Sequence, residues 1–369
     1  MDYRGHTLEA RATTLPGSYY TSRDVFDREA ERIFSRRWVC VGRADTIGQP
    51  GDYRLAAFGG ESVILVRGRD GRTRAFFNVC RHRGTRLCEE PAGRFAGGIQ
   101  CPYHAWTYGL DGALLGAPHM ADVPWFDKAE HPLVAAPLAE WEGFLYLNLS
   151  PGASPLSDAL APLAGRFASW SLPRLKAARS VSYDVKANWK LIFQNFSECY
   201  HCPPVHPALS KLSHYRSGAN DLREGPLLGG YMAIDEPGGS LTMTGRMCGA
   251  PIGDLSDDER QRVYYYSIFP NSFLTIQPDF VMATRLTPLA PDATRVVCDW
   301  LFAPETLETP GSDPADGIEI WDVTNRQDWH VCELAQQGVS SRAYEPGVYS
   351  TEESLLAAFD REYLKSLEG

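Results

Sequence analysis

Two short motifs in the first half of the chain carry residue types that could hold a metal cluster. Cys80 and His82 are spaced C-x-H, and Cys101 and His104 are spaced C-x2-H. Two thiolates and two imidazoles match a [2Fe–2S] cluster in which two cysteines hold one iron and two histidines hold the other. Zinc is the competing interpretation, but zinc sites made of two cysteines and two histidines usually read C-x2–4-C followed by H-x3–5-H. The spacing therefore favours an electron-carrying cluster, and the remaining chain must hold a site that uses the electrons.

The surroundings of the two motifs predict how the cluster is held. Residues 76–79 indicate a strand that runs into the first loop, and Asp111-Gly112 indicates a hairpin turn after the second. Ala105 follows His104 where a hydroxyl could otherwise donate to a cluster sulfur. Because hydrogen bonds to sulfur raise the potential, we expect one near the low end for such centres, about −150 mV.

A second group of potential ligands follows a predicted strand. Asn195, Glu198 and His201 recur at steps of three residues, which predicts one helix face, and Pro203-Pro204 should end that helix. The chain can then turn and bring His206 back toward His201. Two neutral imidazoles with one carboxylate form the facial triad of non-haem Fe(II) oxygenases, which leaves coordination positions open. The alternative is that one histidine caps the helix and the other is exposed.

The third ligand should be a distant carboxylate, and a helix predicted over residues 314–338 offers Asp322 and Asp328. Asp328 shares a stripe with Trp321, Asn325, Cys332 and Ala335. Asp322 shares a more polar face with Arg326, Trp329, Glu333 and Gln336. We choose Asp328, because a buried stripe is the better place to face a metal. The alternative is an ordinary surface aspartate.

Cys199 and Cys202 form a C-x-x-C pair, which could be a redox dithiol or half a zinc site. Since no helix N-terminus follows to lower a thiol pKa, we interpret them as small packing residues. Nine cysteines without a secretion signal indicate reduced thiols in a cytoplasm.

Length and composition limit the remaining function classes. A chain of 369 residues predicts two domains, and 44% hydrophobic residues suffice for substantial cores. No apolar run reaches the length of a membrane helix, and the net charge of −10 argues against nucleic acid. We therefore expect a cytoplasmic protein with neither a membrane nor a nucleic-acid partner.

Hydrophobic periodicity divides the chain into three parts. Residues 1–36 form a helical segment expected to pack on the catalytic domain, residues 37–150 form a β-domain, and residues 151–369 mix helices with strands. Strands are predicted over 180–186, 262–269, 271–278 and 294–302, and helices over 22–34, 314–338 and 351–366. Tyr264, Tyr265, Tyr266, Phe269 and Phe273 could line a cation-binding cage, although aromatic residues at strand spacing are more often core.

The motifs resemble those of the Rieske non-haem iron oxygenases, specifically their catalytic α-subunits. The family's cluster pattern falls on Cys80, His82, Cys101 and His104; its D/E-x2-H-x4-H pattern falls on Glu198, His201 and His206; its distal Asp, with Glu five residues on, falls on Asp328 and Glu333. The resemblance implies an α+β fold. An all-β Rieske [2Fe–2S] domain would precede a helix-grip catalytic domain, of the Bet v1-like or START-like type, with an antiparallel sheet and mononuclear Fe(II).

Within the family, residues 188–190 and 198–202 resemble the branch acting on betaines and carnitine. Many ring-hydroxylating dioxygenases have Asp where this chain has Glu198. The resemblance implies a separate NAD(P)H-dependent reductase with flavin or ferredoxin, O2 as co-substrate and a head-to-tail homotrimer. In that trimer Glu198 would bridge His201 to His104 of the next chain, with Asn195 beside it as a further catalytic candidate.

The favoured activity is monooxygenation, with N-demethylation of a betaine-like quaternary or tertiary amine. Aromatic ring hydroxylation is the alternative within the family. Outside it, two classes remain: a non-catalytic Rieske electron carrier, and a zinc-binding structural protein. A carrier would need only the first 150 residues of the chain, so the second ligand set argues against it.

Overall fold

A computed structural model describes residues 8, 9 and 11–368, and the chain divides into two compact units. One unit is Phe34–Ala159. The other combines the described residues before Phe34 with those from Leu160 onward. Of the predicted segments, residues 1–7, 10 and 369 lie outside the described residues.

The N-terminal helices belong to the second unit. They are α1 (Ser18–Thr21) and α2 (Arg23–Glu29), and α2 continues as a π-helical turn, Ala30–Phe34. Ser22 caps the start of α2, and its side chain accepts a hydrogen bond from the backbone N–H of Val25. Glu29 is buried at the end of α2 and accepts hydrogen bonds from Trp189 and Lys190. The ion pair between Glu29 and Lys190, with both side chains buried, thus fixes this segment to the rest of the unit.

The Phe34–Ala159 unit is built from antiparallel strands and ends in the short helix α3 (Leu156–Ala159). Its strands are β1 (Val39–Arg43), β2 (Asp52–Phe58), β3 (Glu61–Arg67), β4 (Thr73–Phe77), β5 (Ala92–Arg94), β6 (Ile99–Gln100), β7 (Thr107–Tyr108), β8 (Leu114–Gly116), β9 (Leu138–Trp141) and β10 (Phe144–Leu147). They form three sheets, in the orders β4-β3-β2-β5, β1-β10-β9 and β6-β7-β8.

The predicted hairpin after the second cluster motif is present between β7 and β8. Gly112 occupies its turn with φ of +88°, and a Cβ at this position would lie 2.5 Å from the Phe76 ring. Only glycine therefore fits the turn without displacing the core. Phe76 itself lies on β4, the strand predicted to enter the first cluster loop.

The second unit contains a seven-stranded antiparallel sheet in the order β11-β17-β16-β15-β14-β13-β12. The strands are β11 (Lys176–Val185), β12 (Ala219–Leu222), β13 (Leu227–Ala233), β14 (Arg262–Ile268), β15 (Ser272–Ile276), β16 (Phe280–Ala290) and β17 (Ala293–Phe302). The helices after α3 are α4 (Trp189–Phe196), α5 (Cys202–Val205), α6 (Asp257–Arg260), α7 (Pro304–Glu308), α8 (Pro314–Val339) and α9 (Ser354–Glu368). Helix α4 packs on α8, α9 and β16.

This arrangement confirms the predicted fold class and most of the predicted elements. The four predicted strands are observed as β11, β14, β15 and β17, whereas β12, β13 and β16 were not predicted. The long helix α8 starts with Pro at its first position, which is compatible with an α-helix because that residue needs no hydrogen-bond donor.

Among the described residues, no helix is both long enough and apolar enough to cross a membrane.

Candidate metal centres

His201, His206 and Asp328 converge in the second unit. Their potential ligand atoms all lie within 4.8 Å of one another. The Nε2 atoms of His201 and His206 lie 3.2 and 2.8 Å from Oδ1 of Asp328. Two imidazole nitrogens and a carboxylate oxygen at this separation are the donor set that non-haem Fe(II) requires, so the residues fit the metal that the sequence motif implies.

The opposite nitrogen of each imidazole has its own acceptor. His201 Nδ1 lies 2.6 Å from Glu198 Oε1, and His206 Nδ1 lies 2.8 Å from Gln327 Oε1. If each Nδ1 carries the proton and donates it to its acceptor, each Nε2 keeps a lone pair for a metal. Sequence reasoning missed Gln327, because nothing in its position beside Asp328 indicates which way its side chain points.

The loop that carries Glu198 and His201 differs from the predicted continuous helix. Helix α4 ends at Phe196, so Glu198 and His201 lie beyond it. Glu198 Oε2 accepts the backbone N–H groups of Tyr200 and His201, which a continuing helix would direct elsewhere. Pro203 and its neighbour do not end a helix but lie in the first turn of α5, where a missing N–H costs nothing.

The residues at the start of α4 have structural roles. The side chain of Asn188 caps α4 by accepting the backbone N–H of Lys190 at 3.0 Å. Trp189 Nε1 donates to Glu29 at 2.8 Å, and Lys190 forms a buried ion pair with the same carboxylate. Burial lowers the pKa of Lys190, and the Glu29 carboxylate opposes that shift. The 188–190 motif therefore anchors the helix that leads into the metal-ligand loop.

The electrostatics of the three potential ligands favour a metal cation. Burial favours the neutral form of Asp328, but hydrogen bonds from His201 and His206 hold its pKa below the usual range. Burial also disfavours a charged His201, yet the carboxylates of Asp328 and Glu198 raise its pKa to about 10. Since a ligating imidazole must be neutral, a metal ion at Nε2 replaces that proton.

The other two acidic candidates lie elsewhere. Asp322 accepts hydrogen bonds from Tyr183 and Arg326, so its carboxylate is already satisfied away from the histidines. Glu333 accepts the backbone N–H of Lys186 at 3.0 Å, and it is not among the residues grouped around the metal position. The structure thus brings Asp328, and neither of these two, to the imidazoles.

A cavity of roughly 1070 Å³, including its open mouth, adjoins the three potential ligands. Its described lining contains no lysine and no arginine. Aromatic side chains supply much of the wall: Phe196, Tyr231, Tyr265, Phe273, Trp321 and Trp329. Asn195 also lines it, with Nδ2 3.5 Å from Nε2 of His201. The cavity can therefore take an apolar or cationic molecule beside the metal position.

Two of the five aromatic residues proposed for a cation cage line this cavity. Tyr265 and Phe273 do so, and the rings of Tyr265 and Trp321 lie 6.3 Å apart. Tyr264 and Tyr266 are absent from the described lining, as expected for residues that flank Tyr265 in a strand, and stack on each other instead. Phe269 packs against aromatic rings of the core. Trp321, from α8, was not predicted as part of the cage.

The four predicted cluster ligands lie together in the Phe34–Ala159 unit. Cys80 and Cys101 are buried in one hydrophobic core. The rings of His82 and His104 lie 4.8 Å apart, with His82 exposed and His104 half-buried. Burial, His104 and Arg83 together lower the pKa of His82, which favours a neutral ring. Two buried thiols and two outward imidazoles fit a [2Fe–2S] cluster whose histidine side faces the surface.

One contact at this centre supplies, from another residue, the hydroxyl that the sequence argument found lacking at Ala105. The hydroxyl oxygen of Tyr108 lies 3.3 Å from the Cys80 sulfur. It also accepts the backbone N–H of Arg81 at 3.0 Å, which leaves its own hydrogen free to point at the sulfur. The sequence argument considered only the residue next to His104, whereas the folded loop brings in a residue four positions on.

Two predictions are wrong for Cys199 and Cys202, namely that they are small packing residues and that all thiols are reduced. Their sulfurs form a disulfide. The backbone N–H of Cys202 donates to the Cys199 carbonyl, and this turn brings the two Cα atoms to 4.9 Å, within the range that a disulfide spans. The other seven cysteines, all among the described residues, lie outside this disulfide and are buried.

Comparison with known proteins matches two parts of the chain to known domain families. The profile of the Rieske [2Fe-2S] domain matches residues 37–127, and that of the ring hydroxylating alpha subunit (catalytic domain) matches residues 172–369. The glycine betaine monooxygenase oxygenase subunit of Chromohalobacter salexigens is 33% identical over 374 residues, covering 91% of this chain and 82% of that protein. The carnitine monooxygenase oxygenase subunit of Escherichia coli strain K12 is 40% identical over 201 residues, which is 54% of each chain.

Solved structures show the same architecture. The quaternary ammonium Rieske monooxygenase CntA in complex with L-carnitine matches with a TM-score of 0.78 and 29% identity, over 97% of this chain and 96% of that one. Naphthalene 1,2-dioxygenase from Rhodococcus bound to indole matches with a TM-score of 0.79 over 96% of this chain and 94% of that one. At 21% sequence identity, this match shows that the two proteins share a fold and nothing more.

An electron-transfer domain, followed by a catalytic domain whose site combines two histidines with one carboxylate, defines a Rieske non-haem iron oxygenase. The chain belongs to the ring-hydroxylating oxygenase α-subunit family. Its cofactors are a Rieske [2Fe–2S] cluster and mononuclear iron. The predicted enzyme class and cofactors are thereby confirmed, and the zinc-binding and non-catalytic carrier alternatives are set aside.

Proposed function

We propose that this oxygenase hydroxylates an N-methyl group of a small quaternary or tertiary amine, with His201, His206 and Asp328 as the iron ligands. When bound, the iron and the [2Fe–2S] cluster supply O2 activation and the electrons that it consumes. Asp328 contributes a buried anionic oxygen, and the acceptors at Glu198 and Gln327 keep each Nε2 directed at the metal position.

The observation that carries the choice of substrate is the wall of the cavity. Aromatic side chains of Tyr265, Trp321 and Phe196 line the cavity beside the ligands, while no lysine or arginine is found among the described lining residues. A cation over aromatic rings gains about 0.5–2 kcal/mol, and without a fixed positive charge the cavity does not repel it. The names of the relatives, which act on betaine and carnitine, support the same substrate class.

The reaction balances without a further co-reactant. An N-methyl group, O2, two electrons and two protons give an N-hydroxymethyl group and water. For a quaternary amine, the hydroxymethyl group then loses its hydroxyl proton and leaves as formaldehyde, and the C–N electron pair stays on the demethylated amine. The electrons come from a separate NAD(P)H-dependent reductase.

Electron delivery is proposed to cross between chains of a homotrimer. Glu198 accepts three hydrogen bonds within its own chain, from the backbone of Tyr200, the backbone of His201 and the ring of His201. A carboxylate offers about four acceptor positions, so one remains for a neighbour. His104 of the next chain would take it, placing the cluster edge beside the iron ligand His201.

The test is oxygen uptake and formaldehyde release with a surrogate reductase and a panel of choline-type cations, betaines, carnitine and aromatic acids. We expect formaldehyde in a one-to-one ratio with O2 for at least one N-methyl amine. Hydroxylated aromatic product without formaldehyde would contradict the proposal and support ring hydroxylation.

Two variants then test the cation cage. Tyr265→Leu removes the ring and should raise KM for the amine roughly threefold to thirtyfold, the range that loss of a cation–π contact gives. Tyr265→Phe keeps the aromatic face and serves as the matched control, with KM within about twofold of the wild type. Equal KM values for the Leu variant and the wild type would show that the ring does not bind the cation.

A further inference from the structure

The disulfide between Cys199 and Cys202 encloses a residue proposed to bind iron. His201 lies between the two cysteines, and both cysteines line the same cavity as the three ligands. Cys199 is half-buried, whereas the seven cysteines outside this disulfide are buried. This pair is therefore the one most open to an oxidant that enters or arises in the cavity.

The turn closed by this bond also supports the ligands on each side of it. The backbone N–H groups that Glu198 accepts belong to Tyr200 and His201, which lie within the turn. Cys202 begins α5, and its carbonyl accepts the backbone N–H of His206 at 2.8 Å. The bond therefore joins the segment after Glu198 to the helix that presents His206.

We propose that Cys199 and Cys202 are a reversible thiol–disulfide pair that hydrogen peroxide closes, and that the closed form holds the iron-ligand loop in place. The effect on iron binding rests on the proposed function, since it requires iron at His201, His206 and Asp328. The thiol–disulfide reaction does not depend on that iron site, so an experiment can disprove either part without the other.

The closing reaction is balanced with hydrogen peroxide as the oxidant. The Cys199 sulfur attacks one peroxide oxygen, the O–O bond breaks, and a sulfenic acid and water form. The Cys202 sulfur then attacks the sulfenic sulfur and releases a second water. Two thiols and one peroxide thus give one disulfide and two waters. An oxygenase that reduces O2 by two electrons without hydroxylating substrate supplies such a peroxide in its own cavity.

Closing the turn should slow the loss of iron. With the bond open, the turn that carries these N–H groups loses its covalent link to the start of α5. The two segments are then joined by hydrogen bonds such as that from the Cys202 N–H to the Cys199 carbonyl, while Ser210 Oγ donates to the Cys202 carbonyl. Loss of such supporting contacts typically weakens metal binding 10–100-fold. We therefore expect iron to leave the open form about tenfold faster than the closed form.

The experiment compares the two redox forms of the unchanged, iron-loaded enzyme. A phosphine reduces the pair, one equivalent of hydrogen peroxide closes it, and acid quenching with alkylation and peptide mass spectrometry counts the thiols at residues 199 and 202. Iron release to a ferrous chelator is followed in parallel, while the visible spectrum of the [2Fe–2S] cluster reports that the enzyme stays folded.

We expect one peroxide to remove both thiols and slow iron release. Cys248→Ala removes a buried cysteine outside the described cavity lining and should close like the wild type. The double variant Cys199→Ser/Cys202→Ser should release iron at the rate of the open form under either treatment. If both thiols remain after peroxide treatment, or if a cysteine is oxidised to a sulfenic, sulfinic or sulfonic acid without forming the disulfide, the proposed redox pair is wrong. Equal iron release from open and closed wild type would overturn its effect on the ligand loop.

Discussion

The hydroxyl of Tyr108 lies 3.3 Å from the sulfur of Cys80 and accepts the backbone N–H of Arg81. Because the hydroxyl oxygen accepts the Arg81 N–H, the hydroxyl hydrogen can point at the Cys80 sulfur. Hydrogen bonds to cluster sulfur stabilise the reduced state, which carries more negative charge. The potential should therefore lie above the low-end value that the sequence alone suggested.

Tyr108→Phe removes this hydrogen bond and should lower the cluster potential by on the order of 50 mV, the equivalent of about 1 kcal/mol for one electron. Redox titration followed by visible spectroscopy measures the shift. Tyr103→Phe is the matched control, because Tyr103 packs on the His104 ring but its hydroxyl contacts Arg83 rather than a sulfur. An unchanged potential in Tyr108→Phe, or an equal shift in the control, would contradict this assignment.

Glu198→Gln tests the proposed path of the electron. Glutamine preserves size and a carbonyl acceptor for His201, so both metals should stay bound and the cluster should still be reduced by the reductase. Single-turnover re-oxidation of the cluster with substrate and O2 should slow roughly 10–100-fold, because the carboxylate no longer links His201 to the neighbouring chain. Glu333→Gln on the same unit serves as control, since Glu333 bonds the backbone of Lys186. Rapid re-oxidation with normal product yield would rule out a bridging role.

Asp360 should make stability depend on pH. Burial raises its pKa to about 7, although hydrogen bonds from Tyr349 and Gln194 and the charge of Lys190 oppose that shift. In the unfolded chain the carboxyl has its ordinary pKa of 3.8. Between about pH 4 and pH 7 the folded state thus holds a proton that the unfolded state has lost. Stability from this group falls as pH rises through that window and is constant above it.

Asp360→Asn removes the titration while keeping acceptor and donor atoms for Gln194 and Tyr349. Between pH 5 and pH 8 the wild type should lose up to about 3 kcal/mol more unfolding free energy than this variant. Urea unfolding at several pH values measures the difference. Asp257→Asn, an exposed carboxylate on α6, should follow the wild-type curve. Parallel curves for Asp360→Asn and the wild type would show that Asp360 does not titrate in this range.

The sequence predicted those parts of the site in which residue type and local spacing decide the outcome. The C-x-H and C-x2-H motifs gave Cys80, His82, Cys101 and His104 as candidate cluster ligands, because each pair lies within one loop. Asp328 was separated from Asp322 by periodicity, since only one of the two shares the apolar stripe of α8. These predictions needed no knowledge of how distant segments meet.

The missed features depend on distant contacts or on local backbone choices that periodicity does not distinguish. Gln327 and Tyr108 act on partners 121 and 28 residues away, so their roles follow from the fold. Helix α4 ends at Phe196 because the Glu198 side chain accepts the backbone N–H groups that a longer helix would use. The three-residue spacing of Asn195, Glu198 and His201 is compatible with either a longer helix or this turn. The same turn brings Cys199 and Cys202 together, which is why the disulfide was not expected.

The most direct test of the central claim, that His201, His206 and Asp328 hold the catalytic iron, is the iron content of two aspartate variants. Asp328→Ala should reduce the iron from about three atoms per chain to about two, with the spectrum of the [2Fe–2S] cluster unchanged. Asp322→Ala, from the same helix but bonded to Tyr183 and Arg326, should keep all three. Retention of mononuclear iron in Asp328→Ala, with its loss in Asp322→Ala, would contradict the assigned triad.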